Sequence, residues 1–512
     1  MSAHETSKAL GPSSTLIGPP LSDKGYALLT LLCLGILLAF RLLALYASRV
    51  DFVMDEAQYW TWSRDLAFGY FSKPPMIAWV IRTMGETCGL SEACTRAASP
   101  ILYTLTSGLL FVIGRTLFNA RIGFWAAVVF ATLPGVSYAS ALITTDAPLI
   151  FLWTLTLLFW VMLVKRKSMG FAILLGLAIG TGLLTKQAMI YTVLCIACHA
   201  IVSRDAREAL KGGRAIVAAL IAIALFTPNI VWNAEHGWPT AKHTGANMGW
   251  QPPYIHPLEL LEFIGAQFAI FGPILFAVLI RATLRYAGRP DDANKSLLLS
   301  FSLPILAILF VQALLSRAHG NWAATAYPAA TVFVTAILLQ YERRTLLAAS
   351  MALHIAVAAV IGIAPVFARS WAPFEQLTFL RSSIAWEETA DAVRKLLSEG
   401  NYGAVLVDSR DLTAELLYYM RDVKTPIYAW KRRPDPHDHY QMTRPFVGGT
   451  PEPVLLVSLR GCRKGIVRKF ATVTNLLPVE IPLVKNQTRT LHACALSGYR
   501  VPAKTTDGGQ RP

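Results

Sequence analysis

Charge is scarce in this chain of 512 residues: Asp, Glu, Lys and Arg make up 15%, against 54% hydrophobic residues and a mean hydropathy of +0.46. A soluble globular protein carries roughly 25% charged residues, so the composition excludes a wholly soluble protein and specifies an integral membrane protein. Within the small charged set acid is the scarcer sign, 31 Asp and Glu against 47 Lys and Arg, for a net charge of +16. That balance suits anionic partners such as phospholipid head groups, lipid phosphates or lipopolysaccharide. It does not suit nucleic acid, because the basic residues sit in short loops between apolar runs and form no continuous patch.

Other absences narrow the chemistry. The sequence contains no Walker loop, no GxGxxG and no DxD. Nucleotide hydrolysis, dinucleotide chemistry and a metal-held nucleotide sugar are therefore unsupported. No internal repeat is visible, and no cysteine spacing resembles a zinc site. Of the seven cysteines, Cys33, Cys195 and Cys198 lie in apolar runs and read as packed thiols. Cys88 with Cys94, and Cys462 with Cys494, are two pairs that bond if their segments face an oxidising compartment and stay free otherwise. Residues 1–25 are polar, rich in Gly, Pro and Ser, and predicted to be disordered and cytoplasmic. They lack the basic start and the small-residue cleavage pattern of a signal peptide, so the apolar segment after them reads as a retained helix.

What is abundant is the long apolar run. Stretches near the ~20 residues that span a bilayer recur at about 26–47, 98–118, 122–142, 147–164, 169–185, 187–203, 215–232, 260–280, 296–315, 322–340 and 345–367. The expected fold is an α-helical polytopic membrane protein of about eleven transmembrane helices. One set of alternate loops holds Arg115 and Arg121, Lys165-Arg166-Lys167, Arg204, Arg207, Lys211 and Arg214, then Arg281, Arg285, Arg289 and Lys295, then Arg343 and Arg344. Short basic loops stay cytoplasmic, which puts the N-terminus inside. From about residue 369 the composition turns to that of a small soluble α/β domain on the outer, periplasmic side. Strands are expected at Gly403–Val407 and Val454–Ser458, helices at 385–399 and 410–421. Counted from residue 370, that domain has 20 Lys and Arg against 14 Asp and Glu.

The opposite loops carry the chemistry. The first periplasmic loop, 49–97, contains DFVMDEAQYWTWSRDLAFGYFSKPP from Asp51 to Pro75. Neighbouring side chains on a helix point about 100° apart, so of Asp55 and Glu56 one can face a pocket while the other anchors the loop. A carboxylate there can serve as a general base on a hydroxyl; the plainer reading is an acidic pair capping an interfacial helix. Lys73, before two prolines, is a cation at the lip of a rigid turn, suited to a lipid phosphate or simply snorkelling. Tyr59 and Tyr70 belong to the same aromatic stretch. Asp146, in Thr144-Thr145-Asp146-Ala147-Pro148, is either helix capping or a second site carboxylate, and Lys186 emerges on the same side. In the segment Lys242 to His256, His243, Trp250, Tyr254 and His256 suit a sugar or a lipid head group in a mobile loop, and equally an interfacial belt. Arg317 and His319 read as a second phosphate clamp or as interfacial anchors. His437-Asp438-His439 has metal-like residues but sits in a Pro-rich loop and is read as loop.

The combination of MDEAQYW, then YFSKPP, then TTDAP resembles the GT-C glycosyltransferases. It is most similar to bacterial enzymes of the family 39/83 type, which include aminoarabinose transferases of lipid A and rhizobial lipopolysaccharide galacturonosyltransferases. The resemblance is strongest over about residues 26–190. It implies a transmembrane catalytic domain at 26–368 and a C-terminal domain at 369–512. It further implies transfer of a sugar from a polyprenyl-phosphate carrier to lipopolysaccharide core or lipid A, at the periplasmic face of the bacterial inner membrane, by inverting displacement. Asp55 then matches the catalytic acid position with Glu56 beside it, Asp146 the second acidic position, and Lys73 the lipid-phosphate lysine. Tyr59, Tyr70, Lys186, His243, Arg317 and His319 are the further candidates for binding phosphate or substrate. A divalent metal is neither required nor excluded by these residues.

Two other readings stand beside it. Protein O-mannosyltransferases share the Asp-Glu loop, with protein as acceptor. A flippase for lipid-linked sugars would want ionisable residues near the bilayer midplane and repeated halves; only Arg41, inside the first span, fits that pattern.

Overall fold

A computed structural model describes residues 21–252, 254–286, 292–370, 383–483 and 487–500. Arg289 and most of the N-terminal segment expected to be disordered lie outside them. The first span, α1 (Asp23–Ala47), starts earlier than expected because Ser22 caps it, its hydroxyl accepting from the Gly25 amide at 3.2 Å. Two short helices follow, α2 (Met54–Arg64) and α3 (Met76–Cys88), then α4 (Glu92–Leu117), α5 (Ala120–Thr132), α6 (Pro134–Ala139) and α7 (Asp146–Arg166). The bundle continues through α8 (Met169–Leu183), α9 (Tyr191–Val202), α10 (Arg204–Leu210), α11 (Arg214–Glu235), α12 (Pro239–Met248), α13 (Pro257–Phe271) and α14 (Pro273–Tyr286). It closes with α15 (Ala293–Ser300), α16 (Leu303–Leu315), α17 (Tyr327–Gln340) and α18 (Arg344–Ile363).

Among the described residues seven helices are long and apolar enough to cross a membrane, or eight if one bent pair counts as a span. The other three expected spans coincide with shorter apolar helices, Ala120–Thr132, Met169–Leu183 and Gln187–Val202. The segment expected as one straight span at 260–280 is the bent pair: α13 and α14 meet at 112°. Gly272 supplies the bend with φ +85°, a Cβ there would collide with the His354 imidazole, and Pro273 cannot continue the preceding ladder. The run 122–142 is likewise cut, by Pro134, which starts α6.

The C-terminal domain contributes α19 (Trp386–Glu399), α20 (Arg410–Tyr419), α21 (His439–Thr443) and six strands. These are β1 (Ala404–Val407), β2 (Ile427–Ala429), β3 (Val454–Ser458), β4 (Phe470–Asn475), β5 (Val479–Pro482) and β6 (Thr488–Tyr499). The sheet order is β2-β1-β3-β6-β4, with β5 pairing β6. β1 and β3 are parallel, Val405 opposite Leu455, and buried at every position, as continuous apolar runs in a sheet covered on both faces should be. Side-chain alternation divides their burial. Val405, Val407, Leu455 and Val457 share a core with α2, while Ala404, Leu406, Val454 and Leu456 face Trp430 and Phe446.

The bundle and this domain share that first core. Phe52 and Trp60 both pack on Tyr418, at ring-centroid distances of 4.5 and 4.9 Å. The Tyr419 hydroxyl meets the Phe52 amide at 2.9 Å and bonds Glu92. The Trp386 amide donates to Asp51 at 2.7 Å. Both cysteine pairs are bonded, Cys88–Cys94 and Cys462–Cys494.

Candidate active site

α2 is short, and a buried ion pair fixes its start. Arg96, from α4, donates to both oxygens of Glu56 at 2.9 and 2.6 Å, and its remaining donors reach the Val50 and Asp51 carbonyls. Glu56 also accepts from the Val53 amide at 3.1 Å and the Ile143 amide at 2.8 Å. Its carboxylate is wholly enclosed. Of the two adjacent acids, then, Glu56 is the anchor: it ties α2, α4 and the turn leading into α7 at one point. Bidentate Arg–carboxylate geometry fixes orientation as well as distance.

Asp55, about 100° around the helix, points elsewhere. Its side chain is 50% exposed, and Oδ1 accepts from Nη2 of Arg410 at 2.6 Å. Arg410 stands at the start of α20 and also donates through Nε to Gln58 at 2.6 Å. Among the described residues no hydrogen bond reaches Oδ2 of Asp55.

The turn 65–75 is pinned from several sides. The Tyr70 ring stacks on Trp62 at 4.6 Å, and its hydroxyl is held by the Ala67 amide and the Trp62 and Asp65 carbonyls. Asn229 donates to the Phe68 carbonyl, Thr240 to the Tyr70 carbonyl, and the Met76 amide to Leu184. Gly69 lies against the Trp232 indole, where a Cβ would overlap the ring. Tyr70, expected to bind substrate, is therefore spent as a loop staple. His439 packs its ring on Trp62 and Tyr70 at 5.3 and 5.9 Å, and Asp438 caps α21; these two residues of the His-Asp-His stretch are structural, and His437 is exposed.

Out of this rigid turn comes Lys73, half-buried, with no hydrogen bond or ion pair for its ammonium among the described residues. Burial, then the nearby Lys186, lowers its pKa to about 8, while Asp55 and Asp146 pull the other way. His243 lies close by: burial, with Lys73 and Arg410 as neighbouring cations, lowers it to about 4 and leaves it neutral. It is carried by α12, so the first half of the expected mobile loop is helical, with Pro239 at its first turn. The buried Tyr59 hydroxyl is raised well above its usual range, by burial first and then by Asp55, with Asp146 adding to the same effect.

Asp146 opens α7 and is bonded at both oxygens, to Lys186 at 2.7 Å and to Asn321 at 2.7 Å. With Thr144 and Asn321 it forms the polar end of a cavity of about 430 Å³ whose other walls include Tyr103, Phe130, Ile150, Ile270 and Tyr327. The structure thus gathers Asp55, Tyr59, Lys73, Asp146, Lys186 and His243 into one electrostatic neighbourhood. Arg317 and His319 do not join it by any hydrogen bond or ion pair among the described residues. Both are exposed, His319 resting on Trp322 at 5.2 Å. Their neighbour Asn321 makes the contact instead. Arg96, Arg410 and Asn321 are the site residues that sequence reasoning did not single out. Among the described residues no three His, Cys, Asp or Glu gather as a metal would require.

Residues 72–232 match the family model described as dolichyl-phosphate-mannose-protein mannosyltransferase. The chain is 32% identical over 414 residues to the lipid A galacturonosyltransferase RgtD of Rhizobium johnstonii, an alignment covering 80% of this chain and 86% of the relative. The lipopolysaccharide core galacturonosyltransferase RgtA of the same organism aligns over 186 residues at 29% identity, 35% of this chain and 36% of that one. Among solved structures, ArnT from Cupriavidus metallidurans bound to undecaprenyl phosphate superposes with a TM-score of 0.63 at 16% identity, covering 90% of this chain and 97% of that one. That likeness is one of fold. The sequence kinship with RgtD and the shared architecture lead to one statement: this chain is a multi-span membrane glycosyltransferase and belongs to the GT-C family that includes the rhizobial lipid A galacturonosyltransferase.

Proposed function

We propose that the chain moves a sugar from a polyprenyl-phosphate carrier to lipid A or lipopolysaccharide core at the periplasmic face of the inner membrane, with inversion at the anomeric carbon. One observation carries the reading: an unpaired, half-buried lysine and a half-open carboxylate share a neighbourhood with the polar end of an apolar cavity inside a membrane bundle. A galacturonosyl donor is favoured by kinship to RgtD, and by the excess of basic over acidic residues.

In this mechanism the prenyl chain occupies the cavity and its phosphate meets Lys73. The acceptor oxygen attacks the anomeric carbon from the far side. The bond from that carbon to the phosphate oxygen breaks, and its electron pair leaves with the phosphate. A hydroxyl acceptor passes its proton to Asp55; an acceptor phosphate needs no base, and Asp55 then orients the sugar. Cationic stabilisation of the departing phosphate is the main source of rate. Arg410 holds Oδ1 of Asp55 so that Oδ2 faces the reactants, and Lys186 with Asn321 fixes Asp146. Glu56 supports this geometry without touching substrate.

The reading puts the site end in the periplasm, and the other end of the bundle supports it. There Lys165 bonds the Thr116 carbonyl and Lys167 pairs with Asp205 at 3.1 Å, in short basic loops of the cytoplasmic kind. Both disulfides lie on the site side, which suits an oxidising compartment.

The test uses membranes holding natural lipopolysaccharide and polyprenyl-linked sugars, read by mass spectrometry of lipid A and core. Wild type adds a uronic acid mass; Asp55→Asn loses about 10²- to 10⁴-fold in rate, the worth of a general base, and Lys73→Ala loses donor binding. Because burial lowers Lys73 to about 8, donor affinity weakens as pH rises past 8, and Lys73→Arg moves that limb upward. Full activity of Lys73→Ala, or unchanged lipopolysaccharide with wild type, removes the reading; full activity of Asp55→Asn removes Asp55 as the base.

A further inference from the structure

Arg41 lies in α1, six residues before its end at Ala47, or roughly 9 Å along the helix. It is 7% exposed. Nη2 donates to the Ala131 carbonyl of α5, while Nη1 is buried with no hydrogen-bond partner. Among the described residues no carboxylate pairs with it. An uncompensated guanidinium within a span is costly, and such residues pair with something or mark a binding site. The compensating anion must then come from outside the described chain.

The surroundings show what kind of molecule brings it. Arg41 lines a cavity of about 330 Å³ between α1, α6 and α18, walled mostly by apolar side chains such as Leu37, Phe40, Leu142 and Ile361, with Arg96 and several serines among the rest. Both α1 and α18 turn most of their surface outward: only 22% and 28% of their apolar windows are buried. Ile36, Leu43, Ile355 and Val360 are exposed along them. The cavity is therefore flanked by bilayer rather than by protein. A molecule that reaches it laterally, fills an apolar slot and offers an anion to a buried arginine is a membrane lipid with an acidic head.

We propose that this cavity is a binding site for an anionic phospholipid of the surrounding leaflet, its phosphate meeting the guanidinium of Arg41 and an acyl chain lying along Leu37, Phe40 and Ile361. The site is separate from the cavity that ends at Asp146, although the two share Tyr138 and Leu142. Its wall also includes Val53 and Arg96, which stand behind Asp55 and Glu56. A bound lipid thus braces the base of α2.

The probe is dioleoyl phosphatidylglycerol offered against dioleoyl phosphatidylcholine to the full-length chain in nanodiscs, with retained lipid counted by native mass spectrometry. Wild type retains phosphatidylglycerol over phosphatidylcholine by about tenfold: both offer a phosphate, but the choline ammonium of the second sets another cation beside an arginine that no carboxylate offsets. Arg41→Gln loses the preference and Arg41→Lys keeps most of it. Ala44→Phe preserves the charge but fills the cavity, and loses retention of both lipids. Equal retention by wild type and Arg41→Gln overturns the proposal. So does unchanged retention in Ala44→Phe, which decides the matter if Arg41→Gln does not fold. Displacement of the lipid by millimolar inorganic phosphate alone also overturns it, since a free anion would then suffice. Sugar transfer is not read, so the outcome does not depend on the proposed reaction.

Discussion

Two arginine–carboxylate pairs stand one residue apart on α2, and their surroundings differ in almost every respect. Glu56 with Arg96 is closed: side-chain exposures of 0% and 3%, two contacts between the charged groups, and two further guanidinium donors given to backbone carbonyls. Asp55 with Arg410 is open: exposures of 50% and 29%, one contact, and a carboxylate oxygen left over. The first pair joins segments of the bundle; the second joins the bundle to the C-terminal domain. A buried, saturated pair holds geometry and cannot exchange partners without a large penalty, whereas a half-solvated pair can. Adjacent acids of like composition are sorted into a closed anchor and an open carboxylate by what surrounds them.

The sharpest way to break this contrast is to remove Glu56. Glu56→Ala leaves Arg96 charged and buried without a partner, and should cost about 3–5 kcal/mol. It should lower the melting temperature of the purified chain and abolish transfer. The double variant Glu56→Met/Arg96→Met, with no orphan charge, should recover much of the stability while losing the ties to Val53 and Ile143. A Glu56→Ala protein that melts with wild type would show that the pair is not the anchor described.

Arg410 gives the smaller, opposite result. Exposed pairs are worth about 0–1 kcal/mol to stability, so Arg410→Ala should melt close to wild type. Transfer should nevertheless fall about tenfold, or about 1.4 kcal/mol of barrier, because Asp55 loses its orientation. Arg410→Lys, which keeps the charge but cannot hold Gln58 and Asp55 together with one fork, should lie between. A melting shift as large as that of Glu56→Ala would erase the distinction between the two pairs.

The contrast also separates what was legible in the sequence from what was not. Asp55, Lys73 and Asp146 were readable as candidates because the polar signal and the membrane boundary coincide locally, and β1 and β3 were readable because unbroken apolar runs flanked by turn residues leave little choice. Arg410 was not: 355 residues separate it from Asp55, and no spacing rule connects them. The same holds for Arg96, 40 residues from Glu56. Tyr70 looked like a binding residue until its hydroxyl proved saturated by three backbone groups. The bend at Gly272-Pro273 did have a local sign, a Gly-Pro dipeptide, but the apolar run continues through it and hydropathy alone reads a straight span. β4 and β5 were missed because most of their residues are exposed, leaving little alternation to detect.

Glu415 extends the comparison to a buried carboxyl with no arginine assigned to it. It lies on α20, five residues beyond Arg410, wholly buried, and neither oxygen has a hydrogen-bond partner. Burial first, then the nearby Glu56 and Asp51, raises its pKa well above the carboxylate range, with Arg489 opposing. In the folded chain it therefore keeps its proton where an unfolded glutamate, with a pKa near 4.3, has lost it. Above about pH 4.3 the folded state binds more protons, so this group's contribution to stability falls as pH rises towards the folded pKa. Glu415→Gln removes that dependence. The variant should melt with wild type near pH 4 and exceed it increasingly above pH 5, by about 1 kcal/mol for each pH unit over which only the folded carboxyl holds its proton. Scanning fluorimetry from pH 4 to 8 measures the difference; parallel curves would mean that Glu415 has an anionic role at this interface, and that a carboxylate beside α2 can be closed without an arginine of its own.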